Sequence, residues 1–291
     1  MTARELSGSP SMLPLYAKAG IAALPGTSLL PFVAGRGKEV PELELVLPEL
    51  EIDAANLAAY CRVCGFRLRD ELPPTYPHVL AFPLHMALLT DGSFPFPAVG
   101  LVHIENEITQ QRPIRLTERL SLRVSATSLE PHPKGRQFRL ITEVRAGEEL
   151  VWRGVSTNLR RGGGDGSGGR KEENEDQELP AVAEWRLPGD LGRRYAAVSG
   201  DRNPIHLRDL TAKAFGFPRA IAHGMWTKAR CLAALEGRLP DAYTAAVRFR
   251  KPILLPARVA FGEVEQGGGV RFGVRDAERG TPHLDGTLTP D

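Results

Sequence analysis

The chain repeats itself, and a repeat restricts the folds open to it more than any single motif does. Tyr60-x-x-Val63-Cys64-Gly65-Phe66 matches Tyr195-x-x-Val198-Ser199-Gly200-Asp201 at an offset of 135 residues. Met86 matches Met225, and Gln111-Arg112-Pro113-Ile114 matches Arg250-Lys251-Pro252-Ile253, both at an offset of 139. A shared order at a near-constant offset predicts two copies of one unit, with a net insertion of four residues after the first match. Between the copies the composition breaks into GGGDGSGG over 162–169 and KEENEDQE over 171–178. Neither run can bury a core. The expected organisation is an N-terminal unit over 1–160 that includes an irregular arm, a flexible linker over 161–178, and a C-terminal unit over 179–291. The alternative is one domain with a long hairpin loop, but such loops are rare in compact domains.

Within each half the periodicity points to a few helices and a run of short strands. Asp53 is a good N-cap for a helix over 54–63, with Gly65 to end it. Leu43–Ile52 alternates enough for an edge strand interrupted by Pro48. In the proline-rich segment 72–97 a short buried helix is expected over 85–90. Strands are expected over 99–108, 120–125, 138–145 and 151–158. The second half reads as a strand over 181–187, helices over 191–198 and 224–235, then strands near 245–250, 259–265, 270–275 and 283–288. Consecutive strands on short connections argue for antiparallel sheets, hence an α+β fold.

Composition excludes several classes. A net charge of +2 gives no basis for a nucleic-acid or membrane surface. The most apolar early stretch, 19–35, is short and contains Pro25 and Pro31, so no membrane span is expected. No basic segment followed by an apolar one opens the chain, and three cysteines make no disulfide framework, so the expected location is a reducing cytoplasm.

The chemistry concentrates in Tyr195–Met225. Asp201, Asn203, Pro204, Ile205 and His206 form D-x-N-P-I-H, and Ala222-His223-Gly224-Met225 follows. In a regular helix Asp201 and His206 would point about 140° apart. Pro204 fixes its own φ and biases Asn203 to extended geometry, so a turn can bring carboxylate and imidazole together as a proton-transfer pair. The first half lacks this pair, because Phe66 stands where Asp201 does. A metal is not expected, since the spacing of 17 between His206 and His223 fits no common zinc pattern. His223 reads as a satisfied histidine at a helix start, and Cys61-x-x-Cys64 as two buried thiols.

Tyr195, Ser199, Gly200, Asp201, Asn203, Pro204, Ile205 and His206, followed by Ala222, His223, Gly224 and Met225, resemble the motif of the MaoC-like dehydratases, which include the (R)-specific enoyl-CoA hydratases. The resemblance implies a double hot dog fold: two antiparallel sheets, each wrapped around a central helix. It implies reversible hydration of a trans-2-enoyl thioester to an (R)-3-hydroxyacyl thioester, without a cofactor. Asp201 and His206 would share the acid/base work on a water, and Asn203 would orient them. The backbone N–H of Gly224, at a helix start, would receive the developing enolate. The expected partner is an acyl-CoA or acyl carrier protein thioester, with a homodimer compatible. Arg248, Arg250 and Lys251 are the candidates to meet coenzyme A phosphates, a solvated strand face being the alternative. One departure is Leu232, near where some small relatives carry a helix serine. Two alternatives stand beside this reading: a hot dog protein that holds an acyl thioester without turning it over, and a thioesterase.

Overall fold

The computed structural model describes residues 2–22, 34, 35, 37–162 and 179–291. In chain order the elements are β1 (Thr2–Glu5), α1 (Met12–Ala22), β2 (Leu43–Leu50), α2 (Ala54–Cys64), α3 (Tyr76–Leu89), β3 (Leu101–Gln110), β4 (Leu120–Ala126), β5 (Glu130–His132), β6 (Gly135–Ala146), β7 (Glu149–Arg161), β8 (Ala181–Leu187), α4 (Leu191–Ser199), α5 (Pro204–Leu207), α6 (Asp209–Ala214), α7 (Gly224–Ala234), β9 (Tyr243–Phe249), β10 (Ala257–Gln266), β11 (Gly269–Asp276) and β12 (Pro282–Pro290). Of the linker read at 161–178, residues 163–178 lie outside the described residues.

Packing groups the described residues into two units. One draws on Met1–Glu51, Leu80–Ile104 and Glu118–Glu173, the other on Ile52–Val79, Glu105–Thr117 and Asn174–Asp291. These borders cross the sequence boundaries at 160 and 179. Two first-half segments, one carrying α2, lie with the second unit because they pack on α4 and pair with β9.

In the first unit β2, β4, β6 and β7 form an antiparallel sheet, with β1 added in parallel to β2. The later turns of α3 bury Ala81, Leu84 and Leu88 completely, and His85 Nε2 lies 2.7 Å from Thr142 Oγ1 on β6. In the second unit the order β9-β12-β11-β10-β8 is antiparallel throughout, and Glu105–Gln110 of β3 pairs with β9. Helix α7 is the central helix, with Met225, Ala229, Cys231 and Leu232 buried. This is the double hot dog, and the α+β class, that the sequence led us to expect.

Three local readings need correction. Within residues 1–40, expected to be an irregular arm, Thr2–Glu5 form β1 and Met12–Ala22 form α1. Strand β2 is neither at the sheet edge nor broken at Pro48. It pairs on both sides, and a register shift between Leu47 and Leu50 absorbs the proline. Helix α3 starts at Tyr76 and contains Pro83, well before the expected 85. Burial on most sides outweighs the missing N–H of Pro83, and a helix apolar all round hides its period.

The repeat is physical. Helices α2 and α4 both end on a left-handed glycine, Gly65 at φ 86° and Gly200 at φ 76°, each donating its N–H back to the helix. Glu71 bridges Arg115, with Leu72 N–H on Ile114 O at 2.8 Å; Ile221 bridges Leu254, with Ala222 N–H on Ile253 O at 3.0 Å. From Gly65 to Glu71 is six residues, whereas from Gly200 to Ile221 is 21. The second copy therefore carries 15 extra residues, and they hold D-x-N-P-I-H, α5 and α6.

Candidate active site

The inserted segment is built from its caps. Gly200 ends α4, and Asp201 N–H donates to Ser199 Oγ at 3.2 Å. Asn203 N–H donates to Asp201 Oδ1 at 3.1 Å, fixing the carboxylate from its own chain. Asn203 is the N-cap of α5, its Oδ1 accepting from Ile205 N–H, and Pro204 fills the first helical position, where no N–H is needed. Thr211 Oγ1 donates to Pro204 O at 2.6 Å, and Ala220 N–H donates to Asp209 Oδ1 at 2.9 Å, so α6 braces the turn.

The expected pair comes together. Polar side-chain atoms of Asp201, His206 and His223 all lie within 4.8 Å of one another. His206 Nδ1 sits 2.8 Å from Ile221 O and must donate to it, so the neutral ring carries its lone pair on Nε2. Burial is the main influence on His206 and pushes its pKa below the ordinary value, while the Asp201 charge and the Ile221 carbonyl pull the other way. At neutral pH this imidazole is a free base.

His223 was read as a structural histidine at a helix start, but it makes no side-chain cap. Its ring stacks on His206 at 3.6 Å between centroids, tilted 26°, and Nε2–H donates to the Asp201 carbonyl at 3.0 Å. Nδ1 is buried with no hydrogen-bond partner among the described residues. Burial first, then His206, push its pKa well down. The Tyr195 ring is tilted against it, 4.8 Å away between centroids. The three groups crowd as metal ligands can, yet they do not suit an ion. The free nitrogens belong to near-parallel stacked rings, whose in-plane lone pairs cannot converge on one centre.

Gly224 opens α7, and a Cβ there would sit 3.0–3.1 Å from the Phe249 ring carbons, so the glycine permits a close approach. Phe249 ends β9, and its neighbours Arg248 and Arg250 alternate to the other sheet face. Arg248 pairs with Glu105 at 3.0 Å and Arg250 with Asp285 at 2.6 Å, and Lys251 is exposed just beyond the strand end. Leu232 is fully buried on α7. Sequence reasoning missed Gly192, where a Cβ would meet the His206 carbonyl. A glycine within a helix that otherwise reads well was the available signal.

A hot dog unit carrying a carboxylate and a base-competent imidazole is the framework of a hydratase or dehydratase, a lyase that adds or removes water. The MaoC-like domain is matched over residues 170–287. The 3-hydroxyacyl-thioester dehydratase X of Mycobacterium tuberculosis is 42% identical over 281 residues, covering 96% of this chain and 98% of that protein. The crystal structure of HtdX of Mycobacterium tuberculosis, also 42% identical, superposes with a TM-score of 0.77 over 85% of this chain and all of that one. A further Mycobacterium tuberculosis structure, described as a double hot dog fold, superposes with a TM-score of 0.55 at 13% identity, over 84% of this chain and 93% of that one, and speaks to fold alone. The chain belongs to the MaoC-like dehydratase family. No helix among the described residues is long and apolar enough to cross a membrane.

Proposed function

We propose that the protein catalyses reversible hydration of a trans-2-enoyl thioester to an (R)-3-hydroxyacyl thioester. The observation that supports this best is the free Nε2 lone pair of His206 beside the Asp201 carboxylate, both held by main-chain hydrogen bonds. In the hydration direction a water held by the pair loses a proton as its oxygen bonds to the β-carbon. The C=C electron pair moves to an enolate on the thioester oxygen, and the α-carbon then takes a proton. Gly224 N–H, at the positive end of α7, is the donor for that enolate. Asn203 serves the pair through its backbone N–H and its cap, a positioning role. Hydration by way of a tightly held pair also accounts for the 15-residue insertion, which the first copy lacks.

The substrate is an acyl-CoA or an acyl carrier protein thioester. Among the residues read as phosphate contacts, Lys251 is the one with no ion pair among the described residues; Arg248 and Arg250 would have to leave Glu105 and Asp285. A reducing cytoplasm suits three buried free thiols, Cys61, Cys64 and Cys231. The test follows the enoyl-thioester absorbance with crotonyl-CoA and longer trans-2-enoyl-CoAs. The band disappears with the wild-type chain and persists with Asp201→Asn or His206→Gln, both folded. Near-wild-type rates in both variants overturn the assignment.

A further inference from the structure

His223 touches both members of the pair, yet no acid/base step uses it. We propose that His223 is a positioning residue that anchors the Asp201 main chain through Nε2–H and braces the His206 imidazole against its own neutral ring. The inference deepens the proposed hydration and rests on it for its kinetic readout.

Two independent contacts carry it. The first is the 3.0 Å hydrogen bond to the Asp201 carbonyl. Asp201 follows a left-handed glycine and precedes a proline turn, where no helix or strand ladder fixes the chain. A hydrogen bond from a buried side chain holds its carbonyl, and with the Ser199 and Asn203 bonds it sets where the carboxylate points. The second is the ring stack. When His206 takes a proton in turnover, its cation forms 3.6 Å from the face of His223. A neutral π face attracts a cation, most strongly where water is excluded, whereas a second imidazolium would repel it.

The surroundings keep His223 neutral. Its side chain is almost fully buried beside the uncharged Tyr195 ring and stands at the positive end of α7, which together outweigh the Asp201 carboxylate 3.8 Å from Nε2. The titratable groups that the described residues bring against His206 are Asp201 and His223, with Tyr195 behind. A column of rings backs the stack from the core side: Tyr60 lies 6.2 Å from Tyr195, and Tyr76 lies 5.1 Å from Tyr60. Tyr60 and Tyr76 are tied by hydroxyl bonds of 2.8 Å to Thr75 and Asn56, so the brace rests on fixed side chains.

Three variants separate the two contacts. His223→Phe keeps a ring and loses the N–H, His223→Gln keeps an N–H and loses the ring, and His223→Leu loses both. The expected kcat falls about tenfold in Phe and in Gln and about a hundredfold in Leu, the scale of a small misplacement of reacting groups, with KM within about twofold. The His206 titration, followed by NMR without substrate, is expected to lie about half to one pH unit lower in Leu than in Phe. Equal His206 titration in Leu and Phe overturns the brace. Equal kcat in Gln and Leu overturns the anchor, and a raised KM at unchanged kcat overturns both. If the Leu variant fails to fold, Phe and Gln against wild type still isolate anchor and ring. If the wild-type chain turns over no enoyl thioester, the proposed reaction fails while the NMR titration still decides the brace.

Discussion

A methyl group at position 192 would land on the carbonyl oxygen of His206. Glycine to alanine inside a helix ordinarily stabilises by up to about 1 kcal/mol, because it reduces the freedom of the unfolded chain. Here the close backbone approach reverses the sign. Gly192→Ala is expected to cost about 1–3 kcal/mol as overpacking, read in urea unfolding, and to lower kcat more than it raises KM, because α5 and His206 move together. Unchanged stability with full activity would contradict that contact. The pH profile belongs to the same scale. With His206 held below its ordinary pKa mainly by burial, kcat/KM should stay flat at neutral pH and fall only on the acid side of 6.5, as the free base is lost. An acid limb with its midpoint above 7 would mean that another group is the base. Asp201 and His206 were legible because a carboxylate and an imidazole flank a proline turn. The stack of His223 was not, since its partners are set by how α4 and α7 meet the turn and not by spacing.

Helix α7 carries an element that no period reveals. Lys228 is completely buried, and its Nζ donates to Asn106 Oδ1 at 2.6 Å, Ala245 O at 2.8 Å and Asn106 O at 3.1 Å. Three oxygens match the three protons of an ammonium, so these bonds tie the central helix to β3 and β9 of its own unit. Burial lowers the lysine pKa well below its usual value against the opposing pull of the Glu107 charge, and the three acceptors at bonding distance suit the charged form. Lys228→Met relieves the buried charge and removes these three hydrogen bonds, and the net change should be destabilising by about 1–3 kcal/mol. Adding Asn106→Leu should recover part of the loss, since the side-chain oxygen is then gone. Additive effects of the two substitutions would deny the coupling. The strands were legible here because each buries one face and alternates. Helix α3 was not, because its apolar residues run all round and its prolines argue against it. Helix α1 left a faint sign in Leu15, Ala19 and Ala22, a helical spacing buried on one side.

At the scale of the molecule, duplication was legible from matched residues alone, and the structure gives the offset a cause. The 15 residues gained around D-x-N-P-I-H exceed the four-residue net insertion, so 11 must be lost afterwards. They are lost ahead of Met225: Glu71 stands 15 residues before Met86, whereas Ile221 stands four before Met225, and nine of the 11 are the opening turns of α3 that α7 lacks. Both units also bury neutral histidines, a cost that pH exposes. Burial is the leading influence on His85 in one unit and on His206, His223 and His283 in the other, and it lowers all four pKa values, that of His85 to about 3. Above pH 6.5 folded and unfolded chains are both neutral at these sites, so stability is fully present. As the pH falls, the unfolded histidines take protons that the folded ones refuse, and stability drops by up to about 1.4 kcal/mol per pH unit for each. For His85 the decline runs from about 6.5 down to about 3, and by pH 5 it amounts to about 2 kcal/mol. Urea unfolding at pH 7 and pH 5 should therefore differ by several kcal/mol before most carboxylates titrate. His85→Gln can keep a bond to Thr142 Oγ1 but has no proton to gain. It should narrow the pH 7 to pH 5 difference by about 2 kcal/mol, and an undiminished difference would mean that His85 is already protonated in the folded chain.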